Sequence, residues 1–306
     1  MKLDAELLAY LADERQITAR RDIPLSGLST LRIGGNADLV LSPHDVASFL
    51  RLLDLLSSSG VPFRVLGCGS NVLFSDSGFS GVIVLTSRLD RLSVSDRILR
   101  VGAGVRLSRA VNAAREAGLF GLEGLYGIPG SIGGALAMNA GAFGCEISSC
   151  LSFATLYDPA ACHVFVAGAD EIGFGYRTSG IAKRNLIVVS AALQLMPGDR
   201  ERIGKRMREI VRRRAECQPI GYPSAGCVFK KAADGRSAGE LIESVGKKGR
   251  RIGDAAVSDR HANFIVNLGN ASARDFLSLA EELRLSVLKE RGVELEYEIE
   301  RIGDFI

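Results

Sequence analysis

The stretch Gly121–Ile147, GLEGLYGIPGSIGGALAMNAGAFGCEI, decides how the rest of the chain is read. Glycine recurs at Gly121, Gly124, Gly127, Gly130, Gly133, Gly134, Gly141 and Gly144, with Pro129 between two of them. So much glycine forfeits helix and strand stability, and is tolerated where backbone turns tightly or lies against a ligand. Unpaired N–H groups in such turns form concave nests that suit a pyrophosphate. The competing reading is a flexible linker. Linkers are polar, whereas this stretch carries Leu122, Leu125, Ile128, Ile132, Leu136, Met138 and Phe143. It reads as a loop that contacts a ligand.

Two further glycine motifs lie upstream. In LSGLSTLRIGGNADLVLSP, Thr30, Arg32, Gly34 and Gly35 stand between a polar lead-in and an apolar strand, Ala37 to Leu41. A helix over residues 44–59, stopped by Gly60, precedes a strand from Pro62 to Leu66 that runs into Gly67-Cys68-Gly69-Ser70-Asn71. That run fails as a Rossmann loop, because Val72 holds the third glycine position and no helix pattern follows. A strand–turn–strand without ligand is its plain alternative. A strand from Ile98 to Val101, the turn Gly102-Ala103-Gly104 and a helix from Leu107 to Ala117 lead back to the opening stretch. Two βαβ-like halves around a glycine-rich connection suit an α+β domain that clasps one dinucleotide.

Composition removes several function classes. The 306 residues suffice for two or three domains, and a formal charge of +3 is too small for a nucleic-acid binder. The six cysteines (Cys68, Cys145, Cys150, Cys162, Cys217, Cys227) form no C-x-x-C, and only three histidines exist, so no metal site is expected. The amino-terminal MKLDAELLAYLADERQ has acids within its apolar stretch. It reads as an amphipathic helix over residues 3–13, with Leu3, Leu7, Leu8 and Leu11 at helical spacing, and not as a signal peptide. No membrane insertion is expected, and reduced cysteines in the cytoplasm are.

The second half supplies candidates for chemistry. Phe174-Gly175-Tyr176-Arg177-Thr178-Ser179 places an arginine between strands, usually a surface position. Residues 202–216 form a helix with Ile203, Met207, Ile210 and Val211 on one face and seven basic residues around them, read as a solvated basic face. A few of those cations could attract a diphosphate. Gln218-Pro219 and Pro223-Ser224-Ala225-Gly226-Cys227-Val228-Phe229-Lys230-Lys231 follow, where Cys227 could be no more than a small buried hydrophobe. The last helix opens on a capping-box-like Ser272-x-x-Asp275, turns Phe276, Leu279, Leu283 and Val287 inward, and is stopped by Gly292. In the final strand Val293, Leu295, Tyr297 and Ile299 face the core and Glu294, Glu296, Glu298 and Glu300 share the other face. Periodicity does not choose among those four carboxylates.

Taken in order, these motifs resemble the UDP-N-acetylenolpyruvoylglucosamine reductase family of peptidoglycan precursor synthesis, from about Leu28 to Gly303. The resemblance implies a vanillyl-alcohol-oxidase-like, PCMH-type fold of class α+β: an N-terminal lead-in over 1–19, an FAD-binding region over 20–196 (lobes 20–86 and 87–196) and a smaller substrate-binding domain over 197–306. It implies non-covalent FAD contacted by Arg32, Gly34, Gly35, Gly67, Gly69, Ser70, Asn71, Gly127, Ile128, Pro129, Gly130, Ser131, Gly133, Gly134, Asn139, Gly141 and Gly144. NADPH and UDP-N-acetylglucosamine enolpyruvate are the implied substrates, acted on by a monomer. The family's F-x-Y-R-x-S makes Arg177 a candidate to hold the substrate carboxylate, with Tyr176 lining the same pocket and Gln218 and Lys231 touching substrate. Its closing x-E-V-x-x-I-G selects Glu298. Its proton-donating serine falls on Cys227, and the Asn-Pro that follows falls on Lys231 and Ala232. Two alternatives stay open: an FAD-dependent oxidase of the same superfamily acting on an alcohol or sugar, with Cys68 or Cys145 available for covalent flavin, and a non-catalytic nucleotide-binding module in which the serine-to-cysteine change marks lost activity.

Overall fold

The computed structural model describes residues 5–12 and 15–305. The chain packs as two compact units that do not follow its linear order. The first takes residues 1–21, 38–68 and 81–212, and the second takes 22–37, 69–80 and 213–306. This differs from the expected boundary at residue 196, because the segments around Gly34 and Ser70 pack with the C-terminal residues. Strand pairing is the cause: Val72–Phe74 lies parallel to Glu300–Ile302, with Glu300 opposite Val72.

In the first unit, helix Val46–Ser59 forms where its sequence signals it. Asp45 accepts from the Ser48 N–H at 2.8 Å, and Ser48 returns a hydroxyl contact to the Asp45 N–H. Gly60 ends the helix at φ +67, a conformation that favours glycine. Phe49, Leu52, Leu53, Leu55 and Leu56 are buried in a core shared with Leu39, Leu41, Val82 and Val84. Strands Phe63–Leu66 and Phe79–Leu85 pair in parallel there. The amino-terminal helix runs Ala5–Leu11, with Leu7 buried and Leu8 47% exposed. Leu3 lies outside the described residues.

A five-stranded sheet forms the rest of this unit, in the order His163–Gly168, Leu151–Asp158, Ile187–Gln194, Ile98–Gly102, Leu92–Ser95. All four neighbouring pairs are antiparallel. Leu99 and Val101 point into its core while Arg100 faces out, the period of two expected of a strand. Helix Leu107–Glu116 covers it with Leu107, Ala110, Val111 and Ala114.

The basic helix spans Arg200–Cys217. Its buried stripe is Ile203, Met207, Ile210 and Arg214, whereas Val211 is 42% exposed. The stripe keeps helical phase by continuing from Ile210 to a position four residues on, and the residue there is an arginine.

The second unit is built on helix Ala273–Arg291. Ser272 and Asp275 form the expected capping box, Gly292 closes the helix at φ +66, and Phe276, Leu279, Leu283 and Val287 are fully buried. They pack with helix Ala238–Ser244 and the antiparallel strands Arg251–Ile252, Ala255–Val257 and Ile265–Asn267. The carboxylate of Asp76 adds a second cap, accepting from the N–H groups of Ala273 (2.7 Å) and Arg274 (3.0 Å). Asp76→Ala is expected to cost about 1 kcal/mol of unfolding free energy in a denaturant titration, the usual worth of a helix cap. Asp76→Ser should recover part of it.

The final segment is not the continuous strand its alternation predicts. Tyr297 makes a single bridge to Phe229, and regular strand begins only at Glu300–Ile302. The alternation of burial survives without the ladder, since Leu295 and Ile299 are buried. Glu294, Glu296 and Glu300 are exposed, and Glu298 alone of the four is half-buried.

Candidate active site

The glycine-rich stretch contains a helix that its composition argues against, Ile132–Ala137, capped by the Ser131 hydroxyl on the Gly134 N–H. Gly133 makes room for it: a Cβ there would stand 3.2 Å from the Ala103 carbonyl oxygen. The strand carrying Gly67 meets the same cap, and a Cβ on Gly67 would lie 2.2 Å from Ser131 Oγ. Several glycines expected to face a ligand are therefore required first by the protein's own backbone. In the second unit the same holds at Gly69, whose Cβ would be 1.9 Å from the Leu28 carbonyl oxygen, and at Gly35, 2.3 Å from that of Asp76.

Gly134 and Gly144 behave differently. Beyond their own turns the first meets only Ser131 Oγ at 3.7 Å, the second meets nothing within 4 Å, and both are exposed. Space where a Cβ would stand, beside exposed backbone and the buried Ser131, fits a flat cofactor laid against the main chain. The residues present therefore fit FAD.

Asn139 stands apart from the other expected cofactor contacts. It is 1% exposed with φ +46. Its Nδ2 donates to Glu146 Oε2 and to the Gly175 carbonyl, both at 3.0 Å, and its Oδ1 accepts from the Ser148 N–H at 3.3 Å. The amide thus ties the glycine-rich stretch to the hairpin that carries Arg177.

That hairpin pairs Phe174 with Ser179 and Gly175 with Thr178, so Tyr176 and Arg177 are its two-residue turn. Arg177 adopts φ +52, a left-handed conformation that costs a non-glycine residue about 1 kcal/mol. Strain of this kind collects at functional positions. The guanidinium is fixed by a donor bond from Nη2 to the Gly141 carbonyl at 2.8 Å, and its Cζ sits 5.3 Å from the centre of the exposed Tyr176 ring. Two expected substrate groups are thus side by side in the first unit.

In the second unit four of the motifs converge. Thr30 donates from its backbone to Gly69 (3.0 Å) and from its hydroxyl to the Ser224 carbonyl (2.7 Å). Gly226, at φ +80, turns the chain into Cys227. The next residues are locked by the buried Asn263: its Oδ1 accepts from Phe229 N at 2.9 Å and its Nδ2 donates to the Phe229 carbonyl at 2.8 Å. Glu298 N then donates to the Val228 carbonyl at 2.8 Å, and Lys230 N to the Glu296 carbonyl at 2.9 Å. Cys227, half-buried, is therefore one residue from the backbone partner of Glu298. Gln218 closes the basic helix by donating to the Arg214 carbonyl at 2.8 Å, and Lys231 is exposed.

Arg214 is the residue that sequence reasoning passed over. It is 8% exposed, and burial pulls its guanidinium below the usual value while attraction to Cys227 pushes it back up. A cation within electrostatic reach of a thiol favours the thiolate that remains after a proton is given away. The signal was available only as phase, since Arg214 is eleven residues after Ile203 on the buried stripe. His261 has a structural setting: burial lowers its pKa and its ring lies edge-on to Phe264 at 4.8 Å. Among the described residues no cluster of three or more His, Cys, Asp or Glu could hold a metal ion, and no helix is long and apolar enough to cross a membrane.

A family profile described as the UDP-N-acetylenolpyruvoylglucosamine reductase C-terminal domain matches residues 218–302, and an FAD-binding-domain profile matches 37–161. Proteins named UDP-N-acetylenolpyruvoylglucosamine reductase from Caldicellulosiruptor saccharolyticus and Magnetococcus marinus are 39% and 42% identical to it. The first alignment covers 93% of this chain and 92% of the relative, the second 92% of each. The crystal structure of the reductase from Thermus caldophilus superposes with a TM-score of 0.81 at 37% identity, over 94% of this chain and all of that one.

Proposed function

The chain belongs to the UDP-N-acetylenolpyruvoylglucosamine reductase family, and from that premise we propose that Arg177, Cys227 and Glu298 carry its reaction. It is an FAD-dependent oxidoreductase with NADPH as reductant. The reaction is reduction of the enolpyruvyl group of UDP-N-acetylglucosamine enolpyruvate to UDP-N-acetylmuramate. FAD, laid against the exposed backbone at Gly134 and Gly144, would supply the hydride chemistry that links NADPH to the double bond. The protein supplies position, charge and a proton.

Arg177 pairs with the substrate carboxylate and draws electron density toward it, a task suited to a guanidinium already fixed at one nitrogen. Glu298 works at the same carboxylate as negative charge develops on C2. Cys227 Sγ–H gives its proton to C2, and Arg214 steadies the sulfur that is left. Tyr176, Gln218 and Lys231 hold the sugar nucleotide. The observation that carries this reading is the hydrogen bond from Glu298 N to the Val228 carbonyl, next to Cys227, while Arg177 is held in a strained turn. A lost-activity module gives no reason to keep that strain.

The flavin is non-covalent on this reading. Cys145 donates its thiol to the Gly121 carbonyl at 3.0 Å and burial pushes its pKa up to about 12, and burial also raises Cys68, so both are poor nucleophiles. Purified protein should be yellow with about one FAD, released into the supernatant by acid. FAD should raise the melting temperature, because it binds only the folded form. A colourless, folded protein indifferent to FAD, or flavin left in the acid pellet, would contradict this. We propose a cytoplasmic monomer as the working form; sedimentation should then give a species near 32.6 kDa.

A further inference from the structure

Asn71 touches Glu298 through the main chain. Its side-chain Nδ2 donates to the Glu298 carbonyl at 3.0 Å, and its own carbonyl accepts from Glu300 N at 2.9 Å. On the far side the Glu298 N–H is held by the Val228 carbonyl at 2.8 Å. Both backbone polar groups of Glu298 are thus fixed, one beside Cys227 and the other by Asn71. The place is telling, because regular pairing lapses there: the bridge to Phe229 ends at Tyr297 and the parallel strand starts at Glu300. The Asn71 amide reaches the half-buried Glu298 in the gap between the two ladders, and so adds a side-chain hydrogen bond where regular pairing is interrupted.

We propose that Asn71 is a positioning residue for Glu298, coupling the Gly67–Asn71 loop to the carboxylate that acts on the substrate. This goes beyond the flavin contact that sequence resemblance implies for Asn71, and it rests on the reading of Glu298 given above. An aspartate at position 71 keeps the shape but presents only acceptors to the Glu298 carbonyl. The resulting repulsion shifts the backbone from which the Glu298 side chain projects.

The test is Asn71→Asp in the FAD-loaded enzyme, alone and combined with Glu298→Gln. Alone it should slow reoxidation of the flavin by the UDP-sugar about 10–100-fold, the cost of a displacement near 1 Å in a catalytic group. With FAD supplied at saturation, reduction of the bound flavin by NADPH should stay within about twofold. In the double variant the added loss should shrink below about threefold, since the carboxylate being positioned is gone. Amide hydrogen exchange in the apoprotein should accelerate across residues 297–300, a readout independent of turnover. Should Asn71→Asp not fold, Asn71→Ser shortens the reach of the donor and takes its place in the cycle. Full multiplication of the two losses, or loss of FAD with an unchanged substrate step, overturns the proposal alone. If Glu298→Gln is itself silent, the catalytic reading of Glu298 falls and this proposal falls with it.

Discussion

Cys227→Ala is expected to slow the substrate half-reaction by roughly 10²–10⁴-fold, the usual worth of a positioned acid. The step needs a proton at C2, and an unperturbed thiol with pKa about 8.5 gives one up more readily than any hydroxyl. In this fold the thiol is half-buried, follows a left-handed glycine, and has the buried Arg214 within electrostatic reach. On the proposed reading, cysteine in place of the family's serine is a working substitution. Cys227→Ser should keep substantial activity, because the hydroxyl occupies nearly the same place. Alkylation should inactivate the enzyme and bound UDP-sugar should protect it. Cys162 and Cys217 are exposed and will also be labelled, so the Cys227→Ser variant is the control and should survive the reagent. An alanine variant that turns over like the parent would move proton donation to water or to another group.

Arg177→Ala and Glu298→Gln should each slow the substrate half-reaction by about 10²–10³-fold, the typical cost of removing one group that meets developing charge. Flavin reduction by NADPH should be nearly unchanged in both, as measured by stopped-flow absorbance under anaerobic conditions. Equal losses in both half-reactions would mean that these side chains hold the fold or the flavin. Glu294→Gln and Glu296→Gln are the matched controls. Their carboxylates are mostly exposed, paired with Arg284 and Lys230 respectively, and solvated pairs of that kind contribute little. Arg177→Lys should fall well short of the parent, because an ammonium cannot keep both the Gly141 contact and a forked grip on a carboxylate.

The local elements and the order of the motifs are legible without the fold. Asp45 with Ser48, Ser272 with Asp275, and Gly60 and Gly292 set the ends of the helices, because caps and left-handed glycines act within a few residues. Alternation placed Leu295 and Ile299 inward for the same reason. Tertiary structure alone decided what those local rules do not reach. It gathered residues 22–37, 69–80 and 213–306 into one unit, through pairings that span more than two hundred positions. A helix formed in the glycine-rich stretch because the Ser131 cap and the close approach of Ala103 outweigh glycine's poor propensity. Burial separated Glu298 from three carboxylates that periodicity treats alike, and helical phase carried Arg214 into the interior where composition reads only a basic surface. Asn71 and Asn139, expected to contact the flavin, also bond to Glu298, Glu146 and Gly175, partners that no local rule names. Hydrogen-bond partners distant in sequence are set by packing, and packing is a property of the whole chain.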